Sequence, residues 1–353
     1  MYFKPKSIEK LIENIFLELG STKEEAEIIA NHLIENNLLG YDSHGIISIL
    51  EYAKHDINEG YLKLGNDYKI IEETDNIMID AKFSPGPVMA TKATRKAINL
   101  ARKNGIANIV VKNIHHTGRL GAYTGMAAEE NMIGFACVNW PNPNTMVVTP
   151  FGGKKGKIST NPISFACPRD KPYPYLVDMA TSTVAAGRLN VFRNRKERIP
   201  DYWIIDKSGN FSSDVEDFYN GGALLPLGGK IGHKGFALSL IVEVLAGILS
   251  GNKPMQKNAN QKGQGLFICI INIENYVPVK LFKEEIENLF SHVKDTPTME
   301  GVDKIIIPGE KEYENKQINL QKGIYIDETT WEKIQALAYE LKVNIESIVE
   351  VIE

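Results

Sequence analysis

The segment GFALSLIVEVLAGILSG, residues 235–251, is apolar on every side of a helix and carries a single charge, Glu243. Such a helix has to be covered all round, by lipid or by protein. It is short for a bilayer span, which needs about 20 predominantly apolar residues, so a helix in the core of a folded domain is expected. The 353 residues, 43% hydrophobic and 24% charged, supply enough chain for two or three domains built around such cores and argue against disorder. A formal net charge of −4, from 40 basic and 44 acidic side chains, provides no general attraction for nucleic acid or an anionic membrane. The expected partners are small molecules and further copies of the chain. The first residues, MYFKPKSIEKLIENIFLELG, lack an apolar core of signal-peptide length, and the chain reads as cytoplasmic. Cys137, Cys167 and Cys269 are far apart in apolar contexts, which predicts buried reduced thiols and neither a disulfide framework nor a metal knuckle.

Periodicity divides the rest. Ile8, Leu11, Ile12, Ile15, Phe16 and Leu19 recur at helical spacing. Ser21 and Glu24 are placed as a capping box for a second helix through Ala26, Ile29 and Leu33 to a stop near Gly40. YDSHG follows directly, which puts Ser43 and His44 in a helix-to-helix corner. Between about 68 and 112 the pattern is strand, helix, strand: NIMIDA, then GPVMATKATRKAINLARKNG, then ANIVVKN. NIHHTG reads as a loop, followed by a small-residue helix and a strand from Ile133 to Val138. Further strands are expected at KISTNPISFACP, YPYLVDMAT and LFICIINI, with a mobile polar loop at residues 252–265. KLFKEEIENLFSHVKD and DETTWEKIQALAYEL read as helices, the latter docking back on the N-terminal pair.

The usual nucleotide signatures are missing: GQGLFI lacks the third glycine of GxGxxG and enters a strand, and no GxxxxGK[ST] loop occurs. Two other segments suit phosphate. GGALLPLGGKIGHKGFALSL brings a Gly-rich turn, His233 and Lys234 to a helix start, where backbone N–H groups favour an anion; a solvated lysine is the plain alternative. LVDMATSTVAAGRL sets Asp178 after a strand and before Thr181 and Ser182, either as an N-cap pair or as a place for close cofactor approach. Of the seven histidines, His44, His115, His116 and His233 lie in polar loops and corners, where imidazole can exchange a proton near neutral pH. No HExxH spacing points to a metal, and no GxSxG supports a Ser–His hydrolase at DSHG. On the residues alone, DSHG is either a catalytic corner or a polar joint between helices.

Taken together and in order, DSHG, NIHHTG, ISTNPISFACP, DMATS, GGALLPLGGKIGHKGFALSLIVEVLAG and IIIPGEKE are similar to the motifs of the malate/L-lactate dehydrogenase family that is unrelated to Rossmann lactate dehydrogenase. The resemblance covers nearly the whole chain. It implies an α/β, non-Rossmann dinucleotide-binding fold with a mostly antiparallel sheet, plus a helical domain formed from both chain ends, in a homodimer. The corresponding divisions are a helical domain of residues 1–66 completed by 325–353, a small α/β region of 67–120, and an NAD(P)-binding domain of 121–324. It also implies an oxidoreductase using NAD or NADP on a 2-oxo or L-2-hydroxy acid, with cyclic imines and diketo sugar acids as alternatives within the family. By position, His44 resembles the proton donor and Ser43 its neighbour at the substrate. His116 matches a second acid/base histidine, Thr117 replaces the usual phenylalanine after it, and His115 is extra and structural. Asp178, Met179, Ala180, Thr181 and Ser182 correspond to one cofactor segment, His233 and Lys234 to a second, and Pro308, Gly309 and Glu310 to a third. Asn161 and Pro162 are expected at the floor between cofactor and substrate.

One departure bears on substrate. Many members carry arginine four residues after the motif histidine, where it can clamp a carboxylate; here the position is Ser48. Arg119, close to His116 in sequence, is the expected substitute. The basic run RNRKER, residues 193–198, is a possible receiver for a cofactor 2′-phosphate or a solvated loop. Two readings from other classes remain at this point: a metal-dependent hydrolase using His44, His116 and His233, and a silent dinucleotide-binding protein.

Overall fold

Pro5 opens helix α1 (Pro5–Glu18), where its missing N–H costs nothing, and Ile8, Leu11, Ile12, Ile15 and Phe16 form its buried face. Helix α2 (Lys23–Leu38) is capped one residue later than expected. Thr22 Oγ1 accepts the Glu25 N–H at 3.2 Å, and Glu25 accepts the Thr22 N–H at 2.9 Å. The shift has a tertiary cause: Glu25 also accepts the Gly65 N–H at 2.9 Å, whereas Glu24 points outward to Lys92. The last helix, Glu328–Glu340, brings Trp331, Ile334 and Leu337 onto α1 and α2. Tyr2–Phe3 pairs antiparallel with both Ile324–Tyr325 and Val351–Ile352, so the two chain ends build one helical core. This computed structural model describes residues 1–65, 68–72, 76–256 and 261–352.

A seven-stranded sheet fills the centre: β1 (Lys69–Glu72), β2 (Asn76–Asp80), β3 (Ile106–Ile114), β4 (Met132–Asn139), β5 (Ile163–Cys167), β6 (Tyr175–Met179) and β7 (Gln264–Asn272). Their spatial order is β1-β2-β3-β7-β4-β5-β6. Only β2 and β3 are parallel, and the crossover that a parallel pair requires is helix α3 (Gly86–Asn104). β7 is apolar on both faces because it is covered on both. On one side Ala90, Ala93, Ala97 and Ala101 let α3 approach closely, and helix α4 (Gly121–Glu129) packs beside it. The fold is mixed α/β, as expected.

The other face takes helix α6 (His233–Val242), which continues through a π-helical turn at Glu243–Ile248; helix α5 (Ala186–Arg195) lies outside the sheet. Here the expectation of all-round burial fails. Val242 and Ala246 pack on Cys137 and Phe267, but Leu240, Ile241, Val244, Ile248 and Leu249 are 44–57% exposed. Only one side of the helix has a sheet beneath it. Glu243, the lone charge, is buried and accepts from Asn139, from Asn161 and from the Met255 N–H. Among the described residues no helix is long and apolar enough to cross a membrane. Of the expected loop at 252–265, residues 257–260 lie outside the described residues, and its flanks are joined by Asn252, which donates to the Gly263 carbonyl at 3.0 Å.

Candidate active site

The corner after α2 is built by polar residues on that helix's buried face. Asn36 donates to the His44 carbonyl at 2.8 Å; Asn37 accepts the Ile46 N–H at 2.8 Å and donates to Asp42 at 2.9 Å. A Cβ on Gly45 would stand 2.2 Å from Asn37 Oδ1, which is why DSHG ends in glycine. Ser43 Oγ lies 3.1 Å from His44 Nδ1 and fixes the ring.

The chain then forms a short helix (Ser48–Glu51) that widens into a π-helical turn, Tyr52–Asp56. Such widened turns recur at functional sites. This one aims two side chains at the histidine loop between β3 and α4. Tyr52 Oη is 2.7 Å from His116 Nδ1, and Asp56 bridges His115 at 2.8 Å and His55 at 2.9 Å. The rings of His44 and His116 come to a centroid separation of 5.7 Å, 24° from parallel. Two motifs far apart in sequence therefore face each other.

Burial holds both imidazoles neutral. His116 is pushed down to about 3 by burial and then by His44 and His115; His44 is lowered by burial and then by Arg119. Tyr52 is pushed up by burial and Asp56, so the phenol keeps its proton beside His116 Nδ1. With Nδ1 on Tyr52, Nε2 is the ring nitrogen of His116 that has no hydrogen-bond partner among the described residues.

Two cavities meet at His44. The smaller, about 390 Å³, is lined by Ser48, Glu51, Tyr52, Asp56, His116 and Gln264 among others. The larger, about 590 Å³, runs along Asp178, Met179, Ala180 and Ser182 to Arg188 and Arg195 of α5. Ser43, His44, Gly118, Thr160, Pro162 and Ala185 belong to both walls. Asp178 accepts the Gly121 N–H at 2.6 Å at the start of α4, and burial raises its pKa against the pull of Arg119.

The same arrangement of elements is found along the whole chain in known proteins. Residues 3–335 match the model of the malate/L-lactate dehydrogenase family. This chain belongs to that family. It is 36% identical to a malate dehydrogenase of Pyrococcus horikoshii over 342 residues, 94% of this chain and 93% of that one. To an L-sulfolactate dehydrogenase of Methanocaldococcus jannaschii it is 32% identical, covering 99% of this chain and 100% of that one. A solved structure of a putative malate/lactate dehydrogenase from E. coli superposes with a TM-score of 0.89 at 28% identity, over 99% of this chain and 97% of that one. Δ1-Piperideine-2-carboxylate reductase from Pseudomonas syringae gives 0.80 at 25% identity, over 96% and 100%. The protein is an oxidoreductase of the class that acts on CH–OH groups of hydroxy acids.

Within this family member the residues expected from sequence separate into three groups. Ser43, His44, Ser48, His116, Asp178, Met179, Ala180 and Ser182 all line one or both cavities. Gly309 lines a third, about 230 Å³, that shares Arg119 with the larger one. The rest lie elsewhere. Thr181 is buried beneath the wall, its hydroxyl on the Thr160 and Asn161 carbonyls. His233 and Lys234 are exposed at the start of α6 and line neither cavity of the pair. The Pro308 carbonyl accepts the Leu176 N–H at 3.3 Å, and Glu310 is held by Lys294 and Lys304.

Two substrate-side expectations are corrected. Arg119 does not line the smaller cavity; its Nε donates to Asn36 at 3.0 Å and its guanidinium lies 5.7 Å from the Tyr41 ring, on the side of Asp178. Asn161 is fully buried, and its amide donates to Ser239 and to Glu243 at 2.8 Å, fastening α6 to the sheet. Asn161→Ala is accordingly expected to cost about 1–3 kcal/mol in urea unfolding, because Glu243 loses a buried partner. In RNRKER only Arg195 reaches the larger cavity: Arg193 is bidentate on Glu216 and Arg198 donates to Ser213. The hydrolase set of His44, His116 and His233 is not assembled. Among the described residues the group close enough to share a metal is Glu51, His55 and Asp56, which contains none of the three.

Sequence reading missed Asn36, Asn37, Tyr52, Asp56 and Gln264, which accepts from both the Thr117 N–H and its hydroxyl. A signal existed for the first two: Leu33, Asn36 and Asn37 extend the apolar stripe of α2 with amides.

Proposed function

We propose that the protein interconverts a 2-oxo acid and an L-2-hydroxy acid by hydride transfer with NAD or NADP. The observation that carries this reading is the position of His44 on the shared wall of the two cavities, facing His116. The larger cavity has the chemistry a dinucleotide needs: the Asp178 carboxylate for ribose hydroxyls, and Arg119, Arg188 and Arg195 for phosphates. When bound, the nicotinamide supplies or takes the hydride at the substrate's second carbon. In reduction His44 gives the proton to the developing alkoxide, Ser43 fixes its ring, and His116 Nε2–H holds the oxygen. A cyclic imine is a second reading, favoured by Ser48 in place of the arginine and by the similarity to the piperideine-carboxylate reductase. The open face of α6 and its π-turn supports the homodimer, since an apolar patch of that kind marks a protein contact.

Fluorescence titration with NADH and with NADPH, followed by a 2-oxo-acid screen with and without EDTA, tests the proposal. Binding of a dinucleotide and chelator-insensitive turnover are expected; binding of neither dinucleotide would remove the reading. The pH profile follows from His44. Reduction needs its protonated form and oxidation its neutral form, and its pKa lies below the ordinary 6.5. kcat/KM for reduction is therefore expected to fall as pH rises from 6 to 8, while that for oxidation does not fall; a reduction rate that climbs with pH would exclude His44 as the donor.

A further inference from the structure

The smaller cavity is negative. Its described lining holds two carboxylates, Glu51 and Asp56, and neither lysine nor arginine. His116 is held neutral by burial, and His44 carries a charge only while it holds the proton that reduction consumes. Asp56 is buried and committed to His115 and His55, while Glu51 is exposed and has neither hydrogen bond nor ion pair among the described residues. Position 48, where the family resemblance places a carboxylate-clamping arginine, is a buried serine beside the Tyr52 hydroxyl. The Arg119 guanidinium faces the other cavity, and its Nε is held by Asn36. A dianionic substrate such as malate or oxaloacetate would bring its second carboxylate against Glu51 and Asp56 without a counter-charge. That juxtaposition is costly in a partly desolvated site.

We infer that the substrate's far end is cationic: the cavity selects a 2-oxo acid whose chain ends in an ammonium or guanidinium group that pairs with Glu51. The inference rests on the proposed 2-oxo-acid chemistry and leaves it unchanged: hydride reaches the carbonyl carbon, the C=O π-bond breaks, and one proton goes to the oxygen. Glu51 is thereby a specificity residue, and Asp56, fixed by His115, supplies the second negative charge at a distance.

Three chain-matched acids test it: 5-guanidino-2-oxopentanoate, uncharged-chain 2-oxopentanoate and dianionic 2-oxoglutarate. kcat/KM is expected to be highest for the guanidino acid and at least about 100-fold lower for the dianion. Glu51→Gln should shrink the guanidino-to-uncharged ratio about tenfold, and Ser48→Arg should move preference toward the dianion. A dianion used as well as the cation, or a ratio unmoved by Glu51→Gln, overturns the inference. Calorimetric titration with the three corresponding 2-hydroxy acids reads occupancy without hydride transfer. Selective binding of the cationic acid with no reduction of any of the three would sink the redox proposal and support the charge selection. Binding of none of them would overturn the charge selection. Should either variant fold poorly, weakening of the guanidino acid's affinity by salt in the unaltered protein is the expected result, and salt-independence the contrary one.

Discussion

His44→Ala is expected to lower kcat for reduction by about 10²–10⁴-fold, equivalent to about 3–5 kcal/mol of transition-state stabilisation. The size follows from the geometry. His44 has its Nδ1 occupied by Ser43, which leaves the other ring nitrogen for the substrate oxygen. Among the described residues no other titratable group belongs to both cavity walls, so no described neighbour replaces it from the same position. His116 is already engaged through Nδ1 with Tyr52, and burial holds it down to about 3, so of the two rings it is the one suited to hold the oxygen in its neutral form. His116→Gln is thus expected to cost less than His44→Ala, and the pH profile described for His44 should survive in it. Steady-state kinetics on both variants decides the matter. Near-normal turnover in His44→Ala would transfer the proton-donor role to His116 and break the present assignment.

Gly86→Ala should cost about 10²-fold in activity although residue 86 lines neither cavity. An ideal Cβ there would be 2.0 Å from the His116 carbonyl oxygen, 2.4 Å from its carbon and 2.5 Å from the His115 oxygen. All three are backbone atoms and cannot rotate away. Either α3 or the histidine loop has to move by roughly 1 Å, a displacement large enough to cost about 10²-fold in a positioned site. The Tyr52–His116 and Asp56–His115 hydrogen bonds are the first to lengthen. Overpacking of this kind also costs about 1–3 kcal/mol of stability. Thermal melting beside kinetics separates the two effects: a folded variant with lowered Tm and lowered kcat is expected, and a variant with full activity would show that the loop tolerates displacement.

Much of this architecture could be read from periodicity, and the exceptions share a cause. The helical pattern of Ile8 to Phe16, the apolar run of β7 and the return of Trp331 and Ile334 to the N-terminal helices all describe a residue's own preference for water or core, which the chain carries locally. The cap at Thr22 was misplaced by one position because Gly65, forty residues on, settles which glutamate turns inward. The all-round apolar helix gave no sign of which sides the protein would cover. Within the site, DSHG and NIHHTG single out His44 and His116, whose rings face each other across the fold. Sequence proximity misled for Arg119: three residues past His116 the chain is already entering α4, and the side chain leaves on the opposite side. The family resemblance puts Asn161 at the cavity floor, and a left-handed backbone (φ 39°) turns its side chain inward to Glu243. Tyr52 and Asp56 had no motif to mark them, and only the widened turn after Ser48 brings both against the histidines.

Hydride transfer across the wall at His44 is the central claim, and isotope transfer tests it without assuming the physiological substrate. NADH and NADPH carrying deuterium at the reactive carbon of the nicotinamide would be incubated in turn with the protein and a 2-oxo acid it reduces, and the product analysed by mass spectrometry and proton NMR. Deuterium at the second carbon of an L-2-hydroxy acid, lost in His44→Ala, is the predicted result. An unlabelled product, or label at that carbon with full yield in His44→Ala, would contradict it.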